Sequence, residues 1–325
     1  MAHHSSQEQA VRFFTGRPHV GVPRGPLRVL AAWRGDAIRA RGDFRYRFSA
    51  AELAEIDTGL AHAAATGKPT IELTAADLPL PTLHHRIQVW RDELREGLGF
   101  VVVSGAPVER WTRDEAERFF WAFGLHLGTP GLQNPQGDLL GHVTDTGDAA
   151  TDPLVRLYRT AGNINYHCDG ADAVGLLCLQ SAPAGGLSRI ASSVTVFNEL
   201  WRKSPDLAAR LFESVRLDRR NEEKPGQPPY ALIQPSCFDG TTLRTFYHSD
   251  YYRSVQRHVG ALPPEEMELL DAFEAIAERD DIRLDMQFLP GDIQLLSNHT
   301  TVHARTAYED DAVHKRHLLR LWLTL

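Results

Sequence analysis

The chain has 325 residues, of which 42% are hydrophobic and 24% charged, and its formal net charge is -7. A globular chain of this size can bury a sizeable core, and an acidic balance argues against nucleic acid as a partner. Three cysteines without CxxC spacing argue against a disulfide framework or a zinc ribbon and are typical of a reducing cytoplasm. No apolar run reaches the roughly eighteen residues that a membrane span needs. We therefore expect a soluble, cytoplasmic protein without a membrane partner.

The first third of the chain predicts an arm followed by helices. Residues 1–45 are rich in Arg, Gly and Pro, which predicts an irregular N-terminal arm. A capping box predicts a helix over about 49–67, and apolar spacing predicts further helices over about 82–97 and 112–128. The apolar segment 99–105 lies between glycines and predicts a buried strand. This order indicates a helical support that packs on a β core.

The pattern changes from about residue 139, where short apolar segments alternate with Gly, Pro and Asp. The predicted strands are 139–143, 154–158, 164–167, 173–180, 188–193, 284–288, 293–297 and 316–324. Many short strands favour a sandwich or a barrel. Helical spacing over about 194–280 predicts a helical insertion. Because no repeat or polar linker interrupts the chain, we predict a single domain over 1–325.

The most informative chemical signal is the His-x-Asp pair His167 and Asp169. Residues two apart on a strand point to the same face, so both can reach one metal ion. His303, in the distant segment 298–305, offers a third ligand. Two imidazoles and one carboxylate leave positions open on the metal for substrate and oxygen, as in non-haem Fe(II) oxygenases. The pair alone is weak evidence, and His299 is the less favoured alternative to His303.

The last predicted strand carries two arginines among apolar neighbours. Arg316 and Arg320 lie on one face of it, and buried guanidinium groups are costly unless each meets an anion. A guanidinium fork matches a carboxylate, so a small dicarboxylate is a natural partner. A structural ion pair with Asp or Glu, or a place at the rim of the sheet, is the alternative.

Taken together, these motifs resemble the Fe(II)/2-oxoglutarate-dependent dioxygenases, and among them the taurine dioxygenase and clavaminate synthase-like (TauD/TfdA) family. The resemblance rests on the His-x-Asp pair, His303 and Arg316 in this order, on Gly-Gly-Leu-Ser at 185–188 and on Pro-Gly-Asp at 290–292. It covers roughly residues 80–325. The fold it implies is α+β with a mainly β core, a double-stranded β-helix or jelly roll, with the N-terminal helical support and the helical insertion added to it.

The resemblance implies that His167, Asp169 and His303 bind Fe(II) and carry the catalysis. Such enzymes use 2-oxoglutarate and O2 and release succinate and CO2 while they oxidise an unactivated C–H bond of a small molecule. Hydroxylation is the usual outcome, with desaturation, ring closure or cleavage as variants. Related halogenases carry Ala or Gly in place of the carboxylate, so Asp169 predicts oxygenation.

The resemblance also implies where 2-oxoglutarate binds. Arg316 would hold its distal carboxylate, and Ser188, where the family usually has Thr, would donate a hydrogen bond to the same group. Arg320 faces either the co-substrate or the prime substrate and is the alternative anchor.

The prime substrate is predicted from the insertion before His303. This segment mixes cationic and aromatic side chains, and the substrate residues we predict, together with Arg320, are Tyr247, His248, Tyr251 and Arg253. A locally cationic, aromatic pocket suits a small molecule with a carboxylate, sulfonate or phosphate group, such as an amino-acid derivative or a natural-product intermediate. The alternative is that these residues only dock the insertion. A homo-oligomer is left open.

Three other functions remain compatible with the sequence. One is a cupin-like metalloenzyme that works without a 2-oxo acid and does not need Arg316 and Ser188. The second is a zinc hydrolase, for which two His and one carboxylate also suffice. The third is a non-catalytic jelly-roll protein that only binds a small molecule.

Overall fold

The computed structural model describes residues 3–149 and 154–325. The α-helices are α1 Ser6–Thr15, α2 Gly35–Arg41, α3 Ala50–Ala65, α4 Pro81–Glu96, α5 Arg113–Leu127, α6 Ser193–Lys203, α7 Pro205–Ala209, α8 Ser249–Ser254, α9 Gln256–Val259 and α10 Pro264–Ala277. The strands are β1 Arg45–Arg47, β2 Phe100–Ser104, β3 Thr129–Pro130, β4 Gly141–Val143, β5 Ile164–His167, β6 Ala173–Gln180, β7 Ala184–Gly185, β8 Ser188–Ser192, β9 Val215–Asp218, β10 Tyr230–Ile233, β11 Ser236–Phe238, β12 Leu243–Thr245, β13 Leu284–Met286, β14 Ile293–Ser297, β15 Thr301–Arg305, β16 Tyr308–Glu309 and β17 His317–Thr324.

Two sheets form the centre of this mixed α+β fold. The larger runs in the order β1-β2-β14-β6-β17-β3, with β4 also paired to β17, and the smaller runs β13-β8-β15-β5. Apolar side chains of both sheets share one buried cluster, in which Val174 and Leu296 of the larger sheet accompany Ile190 and Leu284 of the smaller. The inner faces of the sheets therefore pack on each other, and the cavities described below open between them.

Helices α3, α4 and α5 cover the other face of the larger sheet, where the sequence predicts a helical support. Capping boxes at Ser49 and Thr112 start α3 and α5. The helices bury an aromatic and aliphatic face that includes Ile87, Phe119 and Phe123 against β2, β6, β14 and β17. This packing fixes β17, which carries Arg320 and begins directly after Arg316.

The predicted irregular arm over 1–45 is wrong at two helices, whereas residues 16–34 between them are irregular. Residues 1 and 2 lie outside the described residues, but α1 and α2 form between residues 6 and 41, and β1 pairs in parallel with β2. A capping box of Ser5 and Glu8 starts α1, and Phe13 on its inner face is 1% exposed. The Ser5 and Glu8 capping box is a sequence signal for this helix that the prediction of an irregular arm missed.

Two further predictions need correction. Leu157–Arg159 is a 3-10 helix rather than part of a strand over 154–158. The segment 194–280 is not purely helical, because β9 pairs with β10 and β11 pairs with β12 between α7 and α8. Both hairpins are short, and their strands carry little of the period-2 alternation that predicts strands.

Within the described ranges, no helix combines the length and the apolar character required to cross a bilayer.

Candidate active site

Strand pairing brings the two predicted histidines together. His303 on β15 lies directly opposite His167 at the end of β5, and their rings are 4.0 Å apart between centroids. Asp169 follows β5 by two residues, and its Oδ2 lies 3.8 Å from Nε2 of His303. The ligand atoms of the three residues all lie within 4.8 Å of one another, in the only such group of metal-binding type found in the described residues.

The protonation of His303 and Asp169 suits a metal ion. Burial, followed by the charge of His167, lowers the pKa of His303 to about 3, so its imidazole is neutral at pH 7. Burial raises the pKa of Asp169, but Arg320, His303 and His167 outweigh that effect and hold it below its ordinary value of 3.8. Nδ1 of His167 faces the carbonyl oxygen of Asn165 at 2.9 Å, which leaves Nε2 as the free donor atom.

Buried polar atoms without partners also point to an ion at this place. Oδ2 of Asp169 is buried and has no hydrogen-bond partner among the described residues. Such an atom is costly unless a cation or a donor meets it. Two imidazole nitrogens and one carboxylate oxygen are a donor set that Fe(II) accepts with open coordination positions. The residues present therefore fit a mononuclear iron site.

Asn298 holds the triad in place, although no sequence motif pointed to this role. Its Oδ1 accepts a hydrogen bond from the backbone N–H of Asp169 at 3.0 Å, and its Nδ2 donates to the carbonyl oxygen of Ala171 at 2.9 Å. Asn298 is fully buried. Because it lies five residues before His303, it ties the loop of one ligand to the strand of another.

A narrow cavity of about 60 Å³ leads from the two histidines to Arg316. Arg316 is 4% exposed, its Nη1 is buried without a partner in the described part of the chain, and its guanidinium lies 5.2 Å from the ring centroid of Tyr308. Ser188 lines the same cavity, and its Oγ donates to Oε1 of Gln294 at 3.2 Å. The structure thus brings together the two residues predicted to hold one carboxylate.

The Gly-Gly pair before Ser188 has a geometric reason. Gly185 and Gly186 both have positive φ, and a Cβ on Gly186 would lie 3.1 Å from Nε of Arg316. Only glycine allows this turn at such close approach to the guanidinium.

Arg305 is a buried residue of this cavity that no sequence motif singled out. Its Nη2 donates to the carbonyl oxygens of Thr160, at 2.7 Å, and of Gly162, while Nε and Nη1 have no partner among the described residues. Tyr308 lies between Arg305 and Arg316, 4.7 Å from the former. The cavity therefore ends in two cationic side chains.

Arg320 lies at the junction of the narrow cavity with a larger one. Its Nη1 is 3.9 Å from Oδ1 of Asp169, its Nε donates to Oε1 of Gln133 at 2.7 Å, and its guanidinium stacks on Tyr158 at 4.4 Å and on Trp322 at 5.3 Å. Because it faces the metal ligand rather than the far end of the narrow cavity, Arg320 differs from Arg316 in position.

A larger cavity, of about 230 Å³, is lined by His167 and Asp169 of the triad. His248 and Tyr251 line it and stack on each other at 3.6 Å. The structure does not bring the other two predicted substrate residues there. Tyr247 is 1% exposed and stacks on Phe273 at 4.0 Å. Arg253 pairs with Asp271 at 2.8 Å and with Glu274 at 3.1 Å.

Several lining residues come from segments to which the sequence assigned no role. Phe14 of α1 reaches the larger cavity, as do Arg156 and Arg220 from loops. Positive φ values at two successive non-glycine residues, Arg220 and Asn221, mark this loop as an unusual backbone conformation in the structure. The sequence could not indicate these lining residues, because loop residues follow no periodic pattern.

Two packed sheets around a site of two His and one Asp define a candidate non-haem iron oxygenase. The sequence profile of the family described as "Taurine catabolism dioxygenase TauD, TfdA family" matches residues 63–322, and the chain belongs to this family. It is accordingly an Fe(II)- and 2-oxoglutarate-dependent oxygenase, and its co-substrates are 2-oxoglutarate and O2.

Individual proteins agree with this assignment. "FR-33289 synthase" of Streptomyces rubellomurinus is 30% identical over 94% of this chain and 92% of its own length. "Taurine hydroxylase-like protein SAT17" of Stachybotrys chartarum is 28% identical over 91% of this chain and 79% of its own. The crystal structure of asparagine oxygenase with Fe(II), 3-hydroxyasparagine and succinate matches the fold with a TM-score of 0.70 at 18% identity, over 86% of this chain and 93% of that one.

Proposed function

We propose that this enzyme hydroxylates an unactivated C–H bond of a small, negatively charged molecule, at an iron ion held by His167, Asp169 and His303. The observation that carries the proposal is the position of these three side chains between two cavities, a narrow one and a larger one. One cavity suits the co-substrate and the other suits the prime substrate.

Arg316 and Ser188 would hold the distal carboxylate of 2-oxoglutarate at the end of the narrow cavity. The unpartnered Nη1 of Arg316 supports this role, because a buried guanidinium without a carboxylate in the described residues favours an anionic ligand. Arg305, on the other side of Tyr308, would add positive charge to the same end. The third arginine, Arg320, would keep Asp169 ionised and border the prime substrate.

Iron with 2-oxoglutarate and O2 supplies the oxidation of the C–H bond, with loss of CO2 and formation of succinate. The protein's own residues bind and orient the co-substrate and the prime substrate, and they exclude water. Arg316 fixes one end of the co-substrate so that its 2-oxo acid end faces the triad. Stacked His248 and Tyr251, with Phe14, restrict the larger cavity, so that a substrate held there presents one C–H bond to the metal.

We further propose that the two sheets form a double-stranded β-helix, or jelly roll, within a single domain over 1–325. The shared apolar cluster of the two sheets supports this view. The cytoplasm is our proposed location because Cys168, Cys178 and Cys237 are all free and buried.

The structures that share the fold support a small prime substrate. One is asparagine oxygenase with hydroxyasparagine, and another is the oxygenase OrfP with a hydroxylated arginine. Among relatives, "Uridine-5'-phosphate dioxygenase" of Amycolatopsis is named after a substrate that contains a phosphate group. The cavity of about 230 Å³ suits a molecule of modest size rather than a polymer.

Metal analysis combined with succinate release tests the proposal. We expect about one Fe(II) per chain and succinate formation that requires 2-oxoglutarate, both lost in His167→Ala, Asp169→Ala and His303→Ala. Full activity of His303→Ala would contradict the triad. Tight zinc without succinate would indicate a hydrolase, iron-dependent turnover without 2-oxoglutarate a different metalloenzyme, and ligand binding without turnover a binding protein.

A further inference from the structure

The larger cavity has a cationic wall that the roles assigned above do not use. Arg156, in the loop before β5, and Arg220, in the loop after β9, line it together with Tyr251 of α8. Neither arginine belongs to the motifs that identify the family. Their side chains face the space where the prime substrate would lie.

Arg220 is an unusual buried cation. Arg220 is 9% exposed. Its Nη2 donates to the carbonyl oxygen of Val155 at 2.5 Å, and its guanidinium lies 5.0 Å from the ring centroid of Tyr251. Nε is buried without a hydrogen-bond partner, and no carboxylate of the described residues forms an ion pair with Arg220. A buried guanidinium in this state favours an anion that arrives through the cavity.

The backbone around Arg220 is held in a conformation that side chains disfavour. φ is 54° at Arg220 and 62° at Asn221, in the left-handed region where glycine is the usual residue. Oδ1 of Asp218 accepts a hydrogen bond from the backbone N–H of Arg220 at 2.8 Å, and Ser254 and Arg257 hold Asp218 in turn, at 2.7 and 3.0 Å. A conformation of this kind persists when the surroundings impose it, and it is frequent at ligand sites.

Arg156 adds a second guanidinium to the wall. Its Nη2 lies 2.6 Å from Oε1 of Glu222 and its Nη1 donates to the carbonyl oxygen of Gln133 at 3.2 Å. Glu222 is exposed. Glu222 offsets the charge of Arg156. Asp250, which also lines the cavity, accepts a hydrogen bond from Nδ2 of Asn165 at 2.9 Å. Arg220 is therefore the arginine of the wall without a carboxylate partner in the described residues.

We infer that Arg220 and Arg156 form a binding subsite for an oxyanion of the prime substrate, that is, a carboxylate, sulfonate or phosphoryl group. The inference rests on the proposed function, because it places the substrate in the larger cavity. Successive contacts join the wall to the triad: Arg220 to Tyr251 at 5.0 Å, Tyr251 to His248 at 3.6 Å and His248 to His167 at 5.1 Å. A small substrate can thus fix its anion at the wall and present a C–H bond at the metal.

Titration calorimetry with simple anions tests the subsite without turnover. The protein is loaded with Mn(II) and saturating 2-oxoglutarate, so that Arg316 is already occupied, and is titrated with propionate, propanesulfonate, propylphosphonate and uncharged propionamide. We expect at least one anion to bind and the amide not to bind. Arg220→Gly should weaken anion binding about ten- to a hundredfold, the range for a lost charge-assisted hydrogen bond.

Two variants separate binding from folding. Arg220→Gly removes the guanidinium and also relieves the positive φ, so it is expected to fold, which thermal melting verifies. Arg253→Met is the matched control, because Arg253 pairs with Asp271 and Glu274 away from the cavity, and it should leave anion binding unchanged. The anion that binds most tightly identifies the group.

Equal affinity of Arg220→Gly and the unaltered protein, equal binding of amide and anions, or no anion binding at all would each overturn the inference. Binding of 2-oxoglutarate to the Mn(II)-loaded protein is measured first, by the same calorimetry. Its presence when anion binding is absent means that the metal and co-substrate sites of the proposed function stand and the subsite fails. Its absence from the unaltered protein means that the proposed function itself fails.

Discussion

Asn298 shows how one amide side chain fixes a metal site that it does not ligate. It satisfies the N–H of Asp169 and the carbonyl of Ala171 at the same time. We predict that Asn298→Ala lowers the free energy of unfolding by about 1–3 kcal/mol, because it leaves buried backbone groups unpaired. The affinity for Co(II), followed by its absorption, should fall together with the melting temperature.

Asn163→Ala is the control for this prediction, since Asn163 is exposed and its side chain donates to Oδ1 of Asn165, two positions further along the chain. Unchanged Co(II) affinity in Asn298→Ala would show that Asp169 keeps its position without the amide.

Arg316, directly before β17, and Arg320, within it, differ in what they should bind. Arg316→Lys keeps the charge but loses the fork, so we predict that the KM for 2-oxoglutarate rises roughly ten- to a hundredfold, with a smaller effect on the prime substrate. Arg320→Lys should change the KM for the prime substrate more. Steady-state kinetics with each substrate varied in turn measure both effects, and the reverse result would exchange the two roles.

For single residues, the sequence predicts a role in the site where a residue follows the periodicity of a strand or belongs to a motif. His167 ends β5, Asp169 lies two positions further along, and His303 completes a recognised set, so the sequence could predict that the three side chains lie close together. Tyr251 and Tyr247 could not be separated, because only the docking of α8 on α10 decides that one faces the cavity and the other Phe273. Arg220 could not be found, since a loop conformation rather than a pattern directs it inward.

At the scale of elements, α1 is part of the active site although the family profile begins only at residue 63. Phe13 stacks on His299 at 4.7 Å, and Arg17 donates to the carbonyl oxygens of Gln234 and Pro235 at 2.9 Å each, so the helix is docked at both its inner face and its end. Phe14 can therefore serve as a fixed wall of the larger cavity.

We predict that Phe14→Ala enlarges the larger cavity and admits water, so that more succinate forms for each molecule of oxidised product. The ratio of succinate to product, measured by chromatography, tests this. Val11→Ala changes the exposed side of the same helix and should leave the ratio unchanged. A normal ratio in Phe14→Ala would show that α1 has no part in closing the site.

The contact between α4 and α5 makes stability depend on pH. Nε2 of His126 on α5 faces the carbonyl oxygen of Leu78 at 2.9 Å, and Nδ1 lies 3.3 Å from Nδ1 of His84 on α4. Burial lowers the pKa of His126 below its ordinary value of 6.5, while the bond to Leu78 opposes this. The unfolded chain thus binds more protons, so the folded state should lose stability as pH falls through about 6.5.

Melting temperatures across this pH range measure the effect. His126→Gln keeps a donor for Leu78 but does not titrate, and its melting temperature should fall less than that of the unaltered protein as the solution is acidified. Parallel curves for the two proteins would assign the pH dependence to other groups.

At the scale of the whole molecule, the sequence predicted the helical support and most strands of the two sheets. These elements carry strong apolar periods and clear capping boxes, as at Ser49 and Thr112. The structure of the arm over 1–45 and of the insertion over 194–280 was harder to predict, because their helices and strands are stabilised by packing on the two sheets. Phe13, for example, packs on Phe246 and His299, which are more than two hundred positions away.

The pairing of β5 with β15 has a consequence for how the molecule fails. β5 has only four residues and lies at the edge of the smaller sheet, yet it brings His167 opposite His303. A metal ion bound to both strands cross-links this edge, whereas a slip of one residue would turn His167 to the other face. A bound metal ion would therefore hold β5 and β15 in the correct register, and without it the protein should open first between these two strands.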